Sequence, residues 1–259
     1  MPTVEVLAQG FMTATSEGGL GYCSVNLIRG EQLTLVDVGY QNRRELVEAR
    51  LAAIGVKPEE IKRIVLTHAH WDHSLNLAYF PNAEVFISAD EYEYTQQPHP
   101  GDWATPAYIG DLLNRTKQIT KLRDGDELEP GVRVMAVPGH SPGSQAVLVE
   151  TTEGVVGIVG DALPGRAAAL LPAPTARIVF WDEAEAEHSA RKVLDAVSLV
   201  FPGHDRPFRN AGPGFDYLYP QSITLRNPPR DTDGTLRGDI DAGAVAFVTL
   251  VQPTAKRKA

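Results

Sequence analysis

The 259-residue sequence holds a single cysteine, Cys23, so no internal disulfide framework can form. One thiol also excludes a cysteine-rich structural zinc site. No run of about 18 apolar residues is present, which excludes a membrane-spanning helix. The N-terminus MPTVEVLAQGFM has no basic stretch followed by an apolar one, so no signal peptide is expected and a cytoplasmic protein is the default. Positive charge is scarce: 24 Lys and Arg stand against 33 Asp and Glu, a formal net charge of −9. That balance opposes nucleic-acid binding, which needs a basic face to displace counterions. The one obvious basic cluster is the tail Lys256-Arg257-Lys258, a kind of terminus that is usually solvated.

What is present fits a folded α/β enzyme. Hydrophobic residues make up 43% of the chain, too many for a disordered one. The first half alternates strands and helices. Thr3–Leu7, Ser24–Ile28 and Gln32–Val38 read as strands, and Arg43–Ile54 has the apolar spacing of a helix, with Gly55 as its stop. Arg63–Thr67 is a continuous apolar run, the mark of a strand buried on both faces. A short helix is expected over Ser74–Phe80, a strand over Glu84–Ile87 and a helix over Ala89–Thr95. Gln96–Gly110 carries three Pro, two Gly, a Trp and a Tyr, and reads equally as a lid over a site or as a surface insertion. The second half is strand-rich: Gln118–Leu122, Val132–Val137, Gln145–Thr151, Val155–Val159 and Leu199–Phe201, with a helix over Asp182–Val197. Two packed sheets with helices outside account for this order. Beyond residue 210 the pattern thins, with strands expected within Phe215–Leu225 and Gly243–Val251. Residues 1–210 are expected to form one domain and 211–259 an extension packed on it, disordered at its very end. Ala244–Val251 could pair across a two-fold homodimer interface or equally form an internal edge strand.

The chemistry concentrates in Thr67-His68-Ala69-His70-Trp71-Asp72-His73. Four metal-capable side chains fall within six positions directly after a buried strand. His68 and His70, two apart, point the same way on extended backbone. Neutral imidazoles and a carboxylate suit Zn²⁺, and less exclusively Mn²⁺ or Fe²⁺. Further candidates follow strands in the same manner: Asp37, His140 in Pro-Gly-His-Ser-Pro-Gly, Asp161 after Gly160, and His204 in Pro-Gly-His-Asp. Five of the seven histidines share this placement; His99 and His188 do not and are expected to be ordinary surface or packing residues.

In this order the motifs resemble the metallo-β-lactamase-fold hydrolase superfamily over residues 1–210, and the strings around Ser24–Gly30 and Arg191–Arg209 are similar to its small single-domain members. The resemblance implies a four-layer αββα sandwich with a metal centre at one edge of its sheets. It implies that His68, His70 and His140 hold one divalent ion, that Asp72, His73 and His204 hold a second, and that Asp161 bridges them. Asp37 would orient ligands without binding metal. Two ions sharing a water stabilise a nucleophilic hydroxide near neutral pH, and in this family Asp72 stands where it can pass a proton to the leaving group.

The fold alone does not give the substrate. The best-known β-lactamase branch has Cys where this chain has Asp161, which counts against β-lactam hydrolysis. The homoserine lactonases have Tyr where this chain has Pro164. The expected substrate is a small-molecule ester, lactone or thioester, in an apolar pocket under Trp71, Trp103 and Tyr108. The alternative is a metal-dependent phosphodiesterase or ribonuclease, for which Arg166, Arg177, Arg206 and Arg209 would have to supply a basic strip. A scaffold without catalysis is the weakest reading, because both ligand sets are complete.

Overall fold

The computed structural model describes residues 1–15, 18–170, 181–211, 215–220, 223–227 and 234–238. The first sheet contains β1 (Thr3–Ala8), and the chain then makes a separate hairpin, β2 (Phe11–Thr15) and β3 (Gly18–Tyr22). It returns to the first sheet as β4 (Val25–Arg29), β5 (Leu33–Val36), β6 (Arg63–Val65), β7 (Glu84–Ser88) and β8 (Ile119–Leu122), in the order β1-β4-β5-β6-β7-β8. The pairs β5–β6, β6–β7 and β7–β8 are parallel. The second sheet follows with β9 (Glu127–Glu129), β10 (Val132–Ala136), β11 (Gln145–Thr151), β12 (Gly154–Gly160), β13 (Leu199–Pro202), β14 (Phe208–Arg209) and β15 (Asp216–Tyr217). Its order is β15-β14-β13-β12-β11-β10-β9, with β12–β13 parallel. A two-stranded pair, β16 (Ile223–Asn227) and β17 (Gly234–Gly238), comes last. The helices are α1 (Arg44–Ala53), α2 (Trp71–Ser74), α3 (Ala89–Gln96), α4 (Tyr108–Arg115), α5 (Arg166–Ala169) and α6 (Glu183–Ala196).

Side-chain alternation along the strands builds four layers, the αββα arrangement the motifs implied. Leu27, Leu35 and Ile64 point outward from the first sheet and pack with Val47 and Leu51 of α1 and Ile109 and Leu113 of α4. Their neighbours Ile28, Val36 and Val65 point inward and meet Val147, Val149, Val156 and Ile158 of the second sheet. Ala146 and Leu148, alternating with Val147 and Val149, face outward onto Ala190 and Val193 of α6. Each such Val, Leu or Ile side chain, fully buried, contributes roughly 1.5–3 kcal/mol relative to exposure.

Most elements fall within one or two residues of the sequence expectation. Helix α4 does not: the loop expected over Gln96–Gly110 ends at Ala107, and Tyr108 opens a helix that has no side-chain cap at its start. The expected Ser74–Phe80 helix is instead α2 and a 3₁₀ turn at Leu77–Tyr79. Beyond residue 210, Asp216–Tyr217 pairs with β14, and Phe215 packs on Phe208. The stretch Ala244–Val251, the basic tail and Arg177 lie outside the described residues.

One buried ion pair closes the sandwich on the side away from the ligand loops. Arg63 Nη1 on β6 donates to Glu129 Oε2 on β9 at 2.6 Å, and Glu31 N donates to Glu129 Oε1 at 2.9 Å. Glu129 is nearly fully buried, so truncating it strands the Arg63 guanidinium. Glu129→Ala is expected to lower unfolding free energy by about 3 kcal/mol, read from urea denaturation at pH 7.

Candidate metal centre

The centre forms where strands of both sheets end. Asp37 follows β5, His68–His73 follow β6, His140 lies between β10 and β11, Asp161 follows β12 and His204 follows β13. Backbone bonds hold these ends together. Gln145 N donates to Thr67 O at 2.8 Å, Ser24 N to Gly203 O at 2.6 Å, and Gly203 N to Gly160 O at 2.9 Å. A side chain at Gly203 would overlap Asp161 Oδ1. Gly160, at φ +50°, turns the chain so that Asp161 aims at the histidines.

Three groups of ligand atoms converge, each within 4.8 Å: His68 with His70 and His140; His68 with His73 and Asp161; and Asp72 with His73 and His204. Asp161 spans the first and third. Its Oδ2 lies 3.4 Å from His140 Nε2 and 3.2 Å from His204 Nε2, and its Oδ1 lies 3.6 Å from His73 Nε2. Asp72 Oδ2 stands 3.6 Å from His73 Nε2 and 3.5 Å from His204 Nε2. Ligands about 2.1 Å from a tetrahedral zinc would be about 3.4 Å apart, which these spacings match. The buried atoms His68 Nε2, His73 Nε2 and Asp161 Oδ1 make no hydrogen bond among the described residues. Buried polar atoms normally have partners, so donors and acceptors converging in this way fit divalent cations.

The outward nitrogens are held. His73 Nδ1 lies 2.8 Å from Asp37 Oδ2, which also accepts from Thr67 Oγ1 at 2.8 Å; Asp37 Oδ1 accepts from Thr67 N at 2.8 Å. Asp37 occupies the left-handed region at φ +57°, a strained conformation of the kind that concentrates at functional sites. His204 Nδ1 donates to Tyr22 O at 3.0 Å, and His68 Nδ1 meets Thr67 Oγ1 at 3.1 Å.

Four neighbours escaped the sequence reading. Glu91 on α3, fully buried, accepts from Ala69 N at 2.8 Å, Ser141 Oγ at 2.6 Å and Gly143 N at 3.0 Å, stapling the two histidine loops together. Burial raises its pKa despite those bonds. Asp102 sits inside the expected loop with its Oδ2 3.6 Å from His70 Nε2. Tyr22 and Tyr40 stack with centroids 6.0 Å apart, and Tyr40 meets Trp71 edge-on at 4.9 Å, so a row of rings leads up to Asp72. Trp71 is half-buried, whereas Trp103 and Tyr108 are more than half exposed. Cys23, buried, donates to Asp72 O at 3.0 Å, and burial pushes its thiol well above the ordinary range. His99 accepts from Gly101 N, and His188 is exposed on α6.

The profile of the Metallo-beta-lactamase superfamily matches residues 18–204. The chain belongs to the metallo-beta-lactamase superfamily. As a member it has that superfamily's fold. It is 33% identical over 179 residues to metallo-beta-lactamase domain-containing protein 1 of Homo sapiens, a match covering 68% of this chain and 59% of that protein. It is 31% identical over 161 residues to an N-acyl homoserine lactonase of Bacillus cereus, 60% of each. The chain thus spans less than two thirds of either relative's length. Among solved structures, AidC, a dizinc quorum-quenching lactonase, superimposes with a TM-score of 0.60 at 22% identity, over 78% of this chain and 81% of that one.

Charge is unevenly shared among the histidines. Burial, with His73, His70 and His140 nearby, drives His68 well below its ordinary pKa, so it is a neutral lone-pair donor. Burial opposes charge on His73 too, yet Asp72, Asp37 and Asp161 push its pKa up to about 10. A raised folded-state value gives stability that is complete below the unfolded value of about 6.5 and is lost as pH rises through about 10. Metal-free protein should therefore lose thermal stability across that window. A cation must displace the same proton, so zinc uptake at pH 8 is expected to release about one proton or more per chain. Calorimetric titration in two buffers of different ionisation enthalpy measures this; equal heats in both would contradict it.

Proposed function

We propose that the chain is a dinuclear hydrolase of small carbonyl substrates, an ester, lactone or thioester. The observation that carries the reading is the two ligand sets sharing buried Asp161. In it, His68, His70 and His140 hold one ion, Asp72, His73 and His204 hold the other, and Asp161 contacts both sets. Zn²⁺ suits donors that are all imidazole and carboxylate. When bound, a pair of such ions supplies an activated water and polarises the scissile carbonyl.

The remaining roles fall to the chain's own side chains. Asp72 is more exposed than Asp161, 13% against 7% for the side chains, so it is the ligand carboxylate better placed to move a proton to a leaving group. Asp37 keeps the proton of His73 on Nδ1 and aims Nε2 at the centre. Trp71, backed by Tyr40 and Tyr22, offers an apolar wall beside Asp72 for an acyl chain or ring. The name of the Bacillus cereus relative, a lactonase, agrees with a carbonyl substrate. Of the arginines considered for a basic strip, Arg166 and Arg206 pack on the Tyr217 ring and Arg209 lies 3.7 Å from Glu153. Among the described residues, no observation therefore favours phosphodiester chemistry.

Proton release in weak buffer tests the reading against γ-lactones, a thioester, an aryl ester, a β-lactam, a phosphodiester and single-stranded RNA. Zinc-loaded protein is expected to turn over at least one of the first three. His70→Ala is expected to lower that rate at least about 100-fold, in line with loss of a metal-held group. Acid release confined to the phosphodiester or RNA, or turnover that survives the substitution, would overturn it.

A further inference from the structure

We infer that Asp102 is a positioning residue: it fixes which nitrogen of His70 carries the proton, and thereby sets the affinity of one metal site selectively. The inference rests on the two-ion reading above. His70 Nδ1 is the atom that faces the centre, 3.0 Å from His140 Nε2. To bind a cation, Nδ1 must present a bare lone pair, so the ring proton must sit on Nε2. Asp102 Oδ2 is the carboxylate oxygen on that side, at 3.6 Å, and its side chain is fully buried. A carboxylate there favours an N–H and disfavours a lone pair.

Asp102 is itself immobilised, and its two oxygens do different work. Oδ1 accepts from Ala104 N at 3.0 Å and Thr105 N at 3.1 Å, which shapes the turn. Oδ2 accepts from Tyr94 OH at 2.9 Å and faces His70. Tyr94 is braced in turn by the edge of Trp181, centroids 6.0 Å apart. The same segment is tied to the histidine loop a second time, because Trp71 N donates to Ala104 O at 2.9 Å. If Asp102 only shaped the turn, Oδ1 would suffice and the identity of the second atom would not matter to the metals.

Asp102→Asn separates the two roles. The amide oxygen stays with the two backbone N–H groups, and an NH₂ replaces the acceptor facing His70. Zinc binding to the full chain is measured by competition with a chromophoric chelator. Wild type is expected to take up two ions. In Asp102→Asn one site should weaken by about 10- to 100-fold while the other stays within about twofold. Tyr94→Phe, which leaves Oδ2 facing His70, should keep both sites within about twofold of wild type. Both affinities unchanged in Asp102→Asn, or both reduced together, would overturn the inference. The tautomer can also be read directly in the metal-free wild-type protein, from two-bond ¹⁵N–¹H correlations of the His70 ring. A proton on Nε2 supports the inference; a proton on Nδ1 overturns it, even if the variant fails to fold. Fewer than two ions in wild type would fault the two-ion reading alone, leaving the tautomer to decide this one.

Discussion

An imidazole can offer one nitrogen to a cation only if the other nitrogen keeps the proton, and the arrangement around this centre follows from that constraint. Three of the histidines turn Nδ1 toward a fixed partner: His73 toward Asp37, His204 toward the carbonyl of Tyr22, His68 toward the Thr67 hydroxyl. His70 is reversed, with Nδ1 inward and Nε2 toward Asp102. Thr67 is pivotal because its hydroxyl donates to Asp37 and so has a lone pair left for His68. The short strand β6 delivers Thr67 and the ligand string together, and the left-handed turn at Asp37 brings the carboxylate under both.

The same logic explains why the edges of the two sheets are so closely bonded. Candidate ligands come from both sheets, so any slip of one sheet on the other would separate His68 and His73 from Asp161 and His204. Gln145 locks the second sheet to the β6 loop through both its backbone N and its side-chain amide, the latter donating to Leu66 O at 2.8 Å. Ser24 does the equivalent at the other side, donating from Oγ to Pro202 O at 2.9 Å. Glu91 then joins the two histidine loops from outside the sheets. Buried carboxylates with two or three donors each are costly to remove and rigid while present, which suits a centre that must hold several atoms within a few tenths of an ångström.

The candidate ligands were legible in the sequence because histidine is a rare residue type and glycine marks the turns that aim them. The sandwich was legible because short apolar stretches such as Ile64–Leu66, within Arg63–Thr67, read as strands buried on both faces. Helix α4 was hidden: it starts after Pro106 with no capping side chain, and the Gly and Pro before it read as loop. Asp102 and Glu91 were hidden for a different reason. A single carboxylate in a polar stretch looks solvated, and only the tertiary fold shows that its acceptors are consumed inside the protein. The row of rings from Tyr22 through Tyr40 to Trp71 joins residues far apart in the chain, so no local pattern announces it.

Four of the seven candidate ligands lie within His68–His73, while the other three are contributed from 140, 161 and 204. That uneven division has a consequence for how the chain matures. A six-residue string with three imidazoles and a carboxylate can chelate a cation before any sheet exists, so the unfolded chain competes with the finished site for the same ion. Binding to the unfolded state subtracts from whatever stabilisation the ion gives the native one. Early capture would also allow the wrong pairing of donors to form first. Renaturation is therefore best begun in the presence of a chelator, with the ion supplied once the strands carrying His140, Asp161 and His204 are in place.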